Sequence, residues 1–410
     1  MSVSVCVRRS NWPAVFAVAA ATFAVVTTEM LPVGLITPMS SAAGVSEGTA
    51  GLTMTVPGLV AAVSAPLLTL LTARFDRRVV LAALAATLAV ANLVSAWAPG
   101  FAVLLAARVL VGVAIGGVWS IAAGLASRLV PEEAAGRATA MIFSGVAVAS
   151  VLGVPAGTII GQAAGWRAAF VVVGVLALAV LAALVLALPP LPPVRALRLG
   201  DVPGLLREPR LRAGLVLTLL LVTGHFAAYT YVRPVLERVS GIDSGLVGAL
   251  LLAYGVAGIA GNFAAGSAAS RHLRRTVLVI TGALAVAVLL TPVAGTRGWI
   301  AVGLLVLWGL AYGGVSVSLQ IWLLGASSRA PEAGSALFVA AFNVSIALGA
   351  LLGGRVLDAF GTASVMWLGG ALAVLAMLTA MPTAMPTTMP TTMPTAMPAA
   401  RLAGEPGRQD

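Results

Sequence analysis

The chain alternates between long apolar runs and short breaks that carry charged residues, glycine or proline. A helix needs about 20 apolar residues to cross a bilayer, and twelve runs reach roughly that length. Each run is predicted to be helical, because backbone polar groups in hydrocarbon must be satisfied within the segment. The predicted spans are 13–36, 49–72, 79–97, 101–127, 137–162, 166–188, 212–235, 245–269, 276–294, 299–325, 334–356 and 362–380.

Composition agrees with this pattern. The 410 residues are 60% hydrophobic and only 9% charged, whereas soluble domains carry about 25% charged residues. The sequence therefore predicts an integral membrane protein. The single cysteine, Cys6, excludes a disulfide within the chain.

The basic residues, all of them arginine, give a net charge of +11, which alone would allow a nucleic-acid partner. If the N-terminus is cytoplasmic, eighteen of the 24 arginines fall in cytoplasmic segments, five fall outside and one lies within a span. This asymmetry follows the positive-inside rule. The arginines are thus interpreted as topological anchors in the bilayer, and no nucleic-acid partner is expected.

Two halves of the chain repeat each other. The pattern R-x-x-R-R-x-V-L occurs in the connections 73–81 and 270–278, and four glycines of 153–174 recur 196 residues later, at 349–370. An all-α membrane protein is predicted, with twelve transmembrane helices in two pseudo-symmetric six-helix bundles and both termini cytoplasmic. The predicted domains are an N-terminal segment 1–12, bundles 13–188 and 212–380, a linker 189–211 and a disordered Met/Pro/Thr-repeat tail 381–410.

Several stretches resemble one transporter family. TTEMLPVGLI (27–36), AARVLVGVAIG (106–116), VLGVPAGTIIGQAAGWRAAF (151–170) and TGHFAAYTYVRP (223–234) are similar to motifs of the major facilitator superfamily. They most resemble its twelve-helix drug:proton antiporters, in particular bacterial sugar-efflux and arabinose-efflux permeases. The resemblance covers residues 12–380 and implies alternating access between two halves.

The resemblance also implies which residues serve conformational change. Gly153, Pro155 and Gly157 match a fifth-helix antiporter motif, which is interpreted as a bend that shapes and seals the cavity, or simply as close packing. The loop after the second span departs from the family pattern, with Ala73 at its Asp position and Asp76 at its second Gly position. That departure puts the usual charge latch in doubt, although Arg74, Arg77 and Arg78 remain candidates to contact helix ends and lipid phosphates.

Glu29 is the central candidate for proton coupling. A carboxylate within a span is costly, at least about 2.5 kcal/mol on insertion scales, yet it can be neutral when shielded and ionised when wet or paired. Arg108 is its predicted partner, because both lie seven residues from the predicted outer end of their spans, roughly 10 Å deep. His225 occupies the position of Glu29 in the second repeat and is predicted to be an accessory titrating group or a substrate contact.

Structural roles compete with these assignments. Glu29 and Arg108 could form a static pair that only locks packing, Arg108 could extend its charge towards the interface, and His225 could be a hydrogen-bonded core residue. The predicted substrate-binding residues are polar or aromatic positions within spans: Trp119, Tyr229, Asn262, Gln320 and Asn343. Tyr254 and Tyr312 share this character.

The function predicted is export of a small molecule, a sugar-like metabolite or an amphipathic drug, in exchange for protons. Alternatives are an uncoupled facilitator and a non-transporting receptor or scaffold. No phosphate-binding loop, zinc motif or nucleophile elbow occurs, so an enzyme and an ATP-driven pump are not expected, and neither is a cofactor.

Five methionines of the tail, spaced four apart, offer soft ligands for Cu(I) but lack any Cys or His to assist. A monomer in a bacterial cytoplasmic membrane is expected.

Overall fold

The computed structural model describes residues 11–192, 207–327 and 331–381, and all regular elements within these ranges are α-helices. Most of the predicted linker, the N-terminal ten residues and nearly all of the predicted tail, with the methionines considered as Cu(I) ligands, lie outside the described residues. The helices are α1 Trp12–Ala43, α2 Glu47–Ala50, α3 Leu52–Leu71, α4 Arg77–Ala96, α5 Phe101–Leu129, α6 Glu132–Ala164, α7 Trp166–Ala187, α8 Pro209–Tyr229, α9 Val232–Arg238, α10 Ser244–Ala294, α11 Gly298–Gly313, α12 Val315–Ala326, α13 Pro331–Phe360 and α14 Ser364–Ala380.

All twelve predicted spans fall on helix. In the described ranges, ten helical stretches are long and apolar enough to cross a membrane. The 51-residue α10 covers two predicted spans and is interrupted at His272, where the backbone leaves the helical region (φ −141°, ψ 60°). The 17-residue α14 is shorter than the other spans. The all-helical membrane fold is confirmed, whereas twelve crossings and cytoplasmic termini stay predictions.

Equivalent positions of the two repeats make equivalent contacts. Gly153 of α6 packs on Thr27 of α1, and Gly349 of α13 packs on Thr223 of α8, with both partners shifted by 196 residues. The next helical turn repeats this, because Gly157 meets Leu31 and Gly353 meets Ala227. Small residues let the helix axes approach closely where lipid provides no hydrophobic drive. The two repeats define an N-terminal half, α1–α7, and a C-terminal half, α8–α14.

α1 and α8 are the most enclosed spans. Within the most apolar window of each helix, 78% of α1 and 67% of α8 are buried, more than in any other span of the described ranges. Polar side chains near the middle of these two helices therefore face protein rather than lipid, which is where intramembrane ionisable groups usually lie.

The two halves are joined at one end. Arg238 forms a bidentate ion pair with Glu47, with N–O distances of 2.9 and 2.8 Å, and Asp358 accepts hydrogen bonds from the Ser46 hydroxyl and the Gly48 amide. We call these five residues the outer latch, because the predicted orientation places them on the outer side. Nearby, Arg233 donates to the Gly34 carbonyl at 2.6 Å and pairs with Glu237 one turn further along α9.

Close packing accompanies the latch. Gly51 lies against the Tyr231 hydroxyl, Gly58 against the Asn343 carbonyl and Gly255 against Val151, and each contact joins the two halves. Within the part of the chain that the structure describes, the hydrogen bonds and ion pairs between the halves lie at this same end of the helices. The protein is thus closed towards the predicted outer side.

Candidate functional site

Glu29 lies on the face of α1 that meets the C-terminal half. Val33 and Ile36, four and seven residues further along, share its face because an α-helix repeats every 3.6 residues, and both belong to the hydrophobic core of the C-terminal half. The residue is only 4% exposed, and its Oε1 atom has no hydrogen-bond partner. A buried acceptor without a partner is costly, so this atom is available to a proton or to a ligand.

Glu29 and Arg108, both within the described residues, form no ion pair in this structure, and their predicted partnership in proton coupling stays a prediction. Arg108 is fully buried and donates from Nη1 to the Thr28 carbonyl at 3.0 Å, while its guanidinium carbon lies 4.8 Å from the Phe170 ring centroid. The prediction of equal depth was sound, because Arg108 contacts the residue next to Glu29. The two side chains do not point towards each other, because successive side chains on a helix point about 100° apart and Glu29 points towards the other half.

Arg108 belongs instead to a polar cluster inside the N-terminal half. Asn92 of α4 donates to the Thr28 hydroxyl at 3.1 Å, and that hydroxyl donates to the Ala24 carbonyl. Three buried atoms of this cluster have no partner, namely Nε and Nη2 of Arg108 and Oδ1 of Asn92. Sequence reasoning did not select Asn92, although an asparagine in the middle of an apolar span was a usable signal.

His225 is the centre of an aromatic stack in the C-terminal half. Its ring lies between Tyr312, with a centroid distance of 3.3 Å, and Tyr229, at 5.0 Å, and Tyr254 continues the stack at 4.8 Å from Tyr229. The Trp308 indole N–H donates to Nδ1 of His225 at 3.0 Å. Because Nδ1 accepts this bond, the ring is neutral in this arrangement, which favours a ring contact over proton transfer among the roles predicted for His225.

The stack joins three helices and brings together three of the four tyrosines in the chain. His225 and Tyr229 come from α8, Tyr254 from α10, and Trp308 and Tyr312 from α11. Tyr312 packs against the same hydrophobic cluster as Val33 and Ile36, which share the face of α1 that carries Glu29. The Tyr254 hydroxyl is buried without a hydrogen-bond partner. Of the residues in the stack, sequence reasoning selected His225 and Tyr229 and missed Trp308.

The other predicted substrate residues are dispersed. Trp119 packs against Phe143 within the N-terminal half, and Gln320 is exposed on α12. Asn262 is exposed and lies seven residues after Gly255, hence on the face of α10 that looks towards α6. Asn343 is buried at the contact between α13 and α3. No hydrogen bond or ring contact in the described ranges joins these four to the stack, so their substrate role stays a prediction.

The loop between α3 and α4 holds the start of the linker. Both carboxylate oxygens of Asp76 accept a hydrogen bond from the Leu191 amide, at 3.0 and 2.9 Å, and Oδ1 also caps α4 through the Arg78 amide. Arg77 donates to Thr72 at the end of α3, and the Arg78 guanidinium contacts the Val185 carbonyl near the end of α7.

Arg74 is exposed beside this loop. Asp76, which departs from the family pattern, therefore serves as a helix cap and a tether. The roles proposed for Arg74, Arg77 and Arg78 in conformational change remain predictions. The same holds for Gly153, Pro155 and Gly157, whose glycines pack α6 on α1.

No group of three or more His, Cys, Asp or Glu side chains in the described ranges is placed to hold a metal ion. The chemistry available at the interface is therefore that of one carboxyl group, three tyrosine hydroxyls and the faces of stacked rings. Such a set can hydrogen-bond and stack on a small polar ligand, and it can take up a proton.

Comparison with known proteins supports this interpretation of the fold. The chain is 35% identical over 376 residues to the purine ribonucleoside efflux pump NepI of Salmonella paratyphi A, covering 91% of this chain and 94% of the relative. The pumps of the same name in Salmonella typhimurium and Salmonella typhi are also 35% identical over the same length.

Among solved structures, the fold resembles a bacterial homologue of the human lysosomal transporter Spinster. The inward-facing and occupied form matches with a TM-score of 0.73 at 16% identity, covering 91% of this chain and 96% of that one. The inward-facing and unoccupied form gives a TM-score of 0.70. The Major Facilitator Superfamily matches residues 17–334. With this match, and with relatives aligned over nine-tenths of its length, the chain belongs to the Major Facilitator Superfamily.

Proposed function

We propose that this protein is a proton-coupled exporter of purine ribonucleosides or close analogues. The observation that carries the proposal is the unpartnered Glu29 carboxyl facing the aromatic stack across the interface between the halves. Stacked tyrosine rings suit a planar heterocycle. The 35% identity to purine ribonucleoside efflux pumps supports the same substrate class.

The exchange follows from competition for one carboxyl group. Substrate reaches the interface from the cytoplasmic side while the outer latch is closed, and the halves then rock until the latch opens. A proton from outside neutralises Glu29 and weakens its hold on the substrate, which leaves. The neutral carboxyl is inexpensive to enclose, so the protein returns and releases the proton inside. Arg108 lies beside Thr28, next to Glu29 in the chain, and its charge tunes this step, while His225 acts through Tyr312, on which its ring stacks.

A transport assay tests the proposal. Proteoliposomes carrying a pH-sensitive dye are given a gradient of inosine, guanosine, arabinose, a thiogalactoside or a chloramphenicol-like drug, and proton movement is followed for the wild type and Glu29→Gln. We expect proton movement opposite to inosine or guanosine in the wild type, and exchange of nucleoside without proton movement in the variant.

A matched control separates Glu29 from carboxylates in general. Glu237 pairs with Arg233 within α9, and Glu237→Gln is expected to keep proton coupling. Nucleoside flux without any proton signal in the wild type would identify an uncoupled facilitator, the rival hypothesis. Flux of arabinose or a drug, but of no nucleoside, would contradict the substrate class and favour the sugar or drug exporter that the sequence motifs suggest.

A further inference from the structure

Glu29 and the aromatic stack form two parts of one surface with different chemistry. The stack ends at Tyr312, which is half-buried and carries His225 on one face. In the described ranges no other ring stacks in parallel on Tyr312, so its second face has no aromatic partner. The edge of Phe226 approaches it at a centroid distance of 6.2 Å.

Glu29 offers the complementary part. Its Oε1 is an acceptor without a donor, and it points towards the C-terminal half with Val33 and Ile36, which belong to the hydrophobic cluster against which Tyr312 packs. Arg108, the nearby cation, donates from Nη1 to the Thr28 carbonyl and makes no ion pair with Glu29. The carboxyl group is therefore free to accept hydrogen bonds from neutral donors of a ligand that enters between the halves.

We propose that Glu29 binds the ribose of the substrate through its 2′- and 3′-hydroxyls while the base stacks on Tyr312. A carboxylate accepts hydrogen bonds only, and two adjacent hydroxyls present two donors to its two oxygens. The same pairing of an acidic residue with ribose hydroxyls recurs in nucleotide-binding folds. This assignment rests on the proposed function and adds that the protein recognises the sugar as well as the base.

The assignment makes proton and sugar direct competitors. Protonation removes the negative charge that strengthens the hydrogen bonds to the hydroxyls, so one event at Glu29 both releases the ribose and loads the proton. Substrates without the 2′-hydroxyl lose half of this interaction and are therefore expected to be poor partners in the exchange.

Binding of matched ligands tests the assignment. Purified full-length protein is titrated with inosine and with 2′-deoxyinosine, for the wild type, Glu29→Gln, Glu29→Asp and Glu237→Gln. Because a hydrogen bond to a charged group is the stronger kind, we expect at least about ten-fold weaker binding of 2′-deoxyinosine to the wild type. Glu237→Gln should keep this preference, and Glu29→Gln should reduce it to less than about three-fold.

Each result decides the matter. Equal affinity of the wild type for both ligands overturns the assignment while leaving nucleoside export intact, and binding of neither ligand overturns the proposed function itself. An undiminished preference in Glu29→Gln also overturns the assignment. If Glu29→Gln binds neither ligand, Glu29→Asp decides, because a retained preference supports a role of the charge at this position and a lost preference contradicts it.

Discussion

Among the residues that the structure describes, the hydrogen bond between Trp308 and His225 is the one polar contact at the centre of the aromatic stack. Both groups are buried, with exposed fractions of 1%, so neither can turn to water when its partner is removed. A buried polar group that loses its partner costs about 1–3 kcal/mol. The bond therefore sets both the orientation of the imidazole ring and the stability of α8 against α11.

Trp308→Phe tests this contact at the residue scale. The substitution keeps an aromatic ring and removes the N–H, so His225 loses its donor, and we expect a loss of about 1–3 kcal/mol in stability together with weaker nucleoside binding. Thermal unfolding in detergent and ligand titration measure the two effects. In the matched variant Trp322→Phe, the bond lost is the one to the Arg210 carbonyl, and binding should be unchanged. A Trp308→Phe protein with unaltered binding would contradict the role given to the stack.

At the residue scale, the sequence predicted how deep a residue lies along its helix axis. It did not predict the direction in which the side chain points around that axis. Glu29 and Arg108 were correctly placed at one depth, because depth follows from counting residues. The direction of each side chain depends on how the helix is rotated, and α1 is apolar on all faces, so its pattern carries no rotational signal. For the same reason the sequence did not predict that Trp308 and Tyr312 approach His225.

At the scale of elements, one glycine position of the repeat packs differently in the two halves. A methyl group at Gly157 would lie 2.2 Å from Cδ1 of Leu31, the end of a flexible side chain. At Gly353 it would lie 2.4 Å from the Ala227 carbonyl oxygen and 2.9 Å from the Ala227 Cα, which are backbone atoms. The side chain can rotate away, whereas the backbone of α8 can only move as a helix.

Gly353→Ala is therefore expected to destabilise the protein more than Gly157→Ala. Overpacking typically costs about 1–3 kcal/mol, and we expect Gly353→Ala in that range and Gly157→Ala below it. Thermal unfolding of the two purified variants compares them directly. Equal losses would mean that α1 and α6 are held as rigidly as α8 and α13.

The repeats themselves could be detected from the sequence at the scale of elements. The offset of 196 residues paired Gly153 with Gly349 and Gly157 with Gly353, and the structure places both pairs in matching helix contacts. The ends of the spans were less predictable. α1 continues to Ala43, seven residues past its predicted end, because Pro38 and the polar residues after it are accommodated within helix, which ends at Gly44 in the left-handed conformation.

For the whole molecule, the outer latch is the contact that must break in the proposed transport cycle. Glu47 lies between α1 and α3, and Arg238 ends α9, so their ion pair links the two halves directly. Asp358 at the end of α13 adds a second link through Ser46 and Gly48. The sequence identified neither link, since residues so far apart in the chain meet only once the halves have assembled.

Glu47→Gln should shift the protein towards an outward-open form. Met54 is fully buried in the closed interface, so a cysteine there, in a Cys6→Ser background, reports opening through reaction with a membrane-impermeant maleimide. We expect several-fold faster labelling in Glu47→Gln. Glu237→Gln removes a pair within one half and should label as the parent does. Unchanged labelling in Glu47→Gln would show that packing alone keeps the halves together.

The Arg238 side of the latch is exposed to solvent on the side predicted to be external, and in the proposed cycle this makes opening depend on the composition of the external medium. The Arg238 side chain is 54% exposed, whereas its partner Glu47 is 6% exposed. Ions weaken charge contacts that reach solvent, and the range of such contacts falls to about 3 Å in molar salt. Raising the ionic strength outside the vesicle should therefore favour opening, whereas the same change inside should have little effect. The protein would then respond to the salinity on one side of its membrane only, without a dedicated sensor.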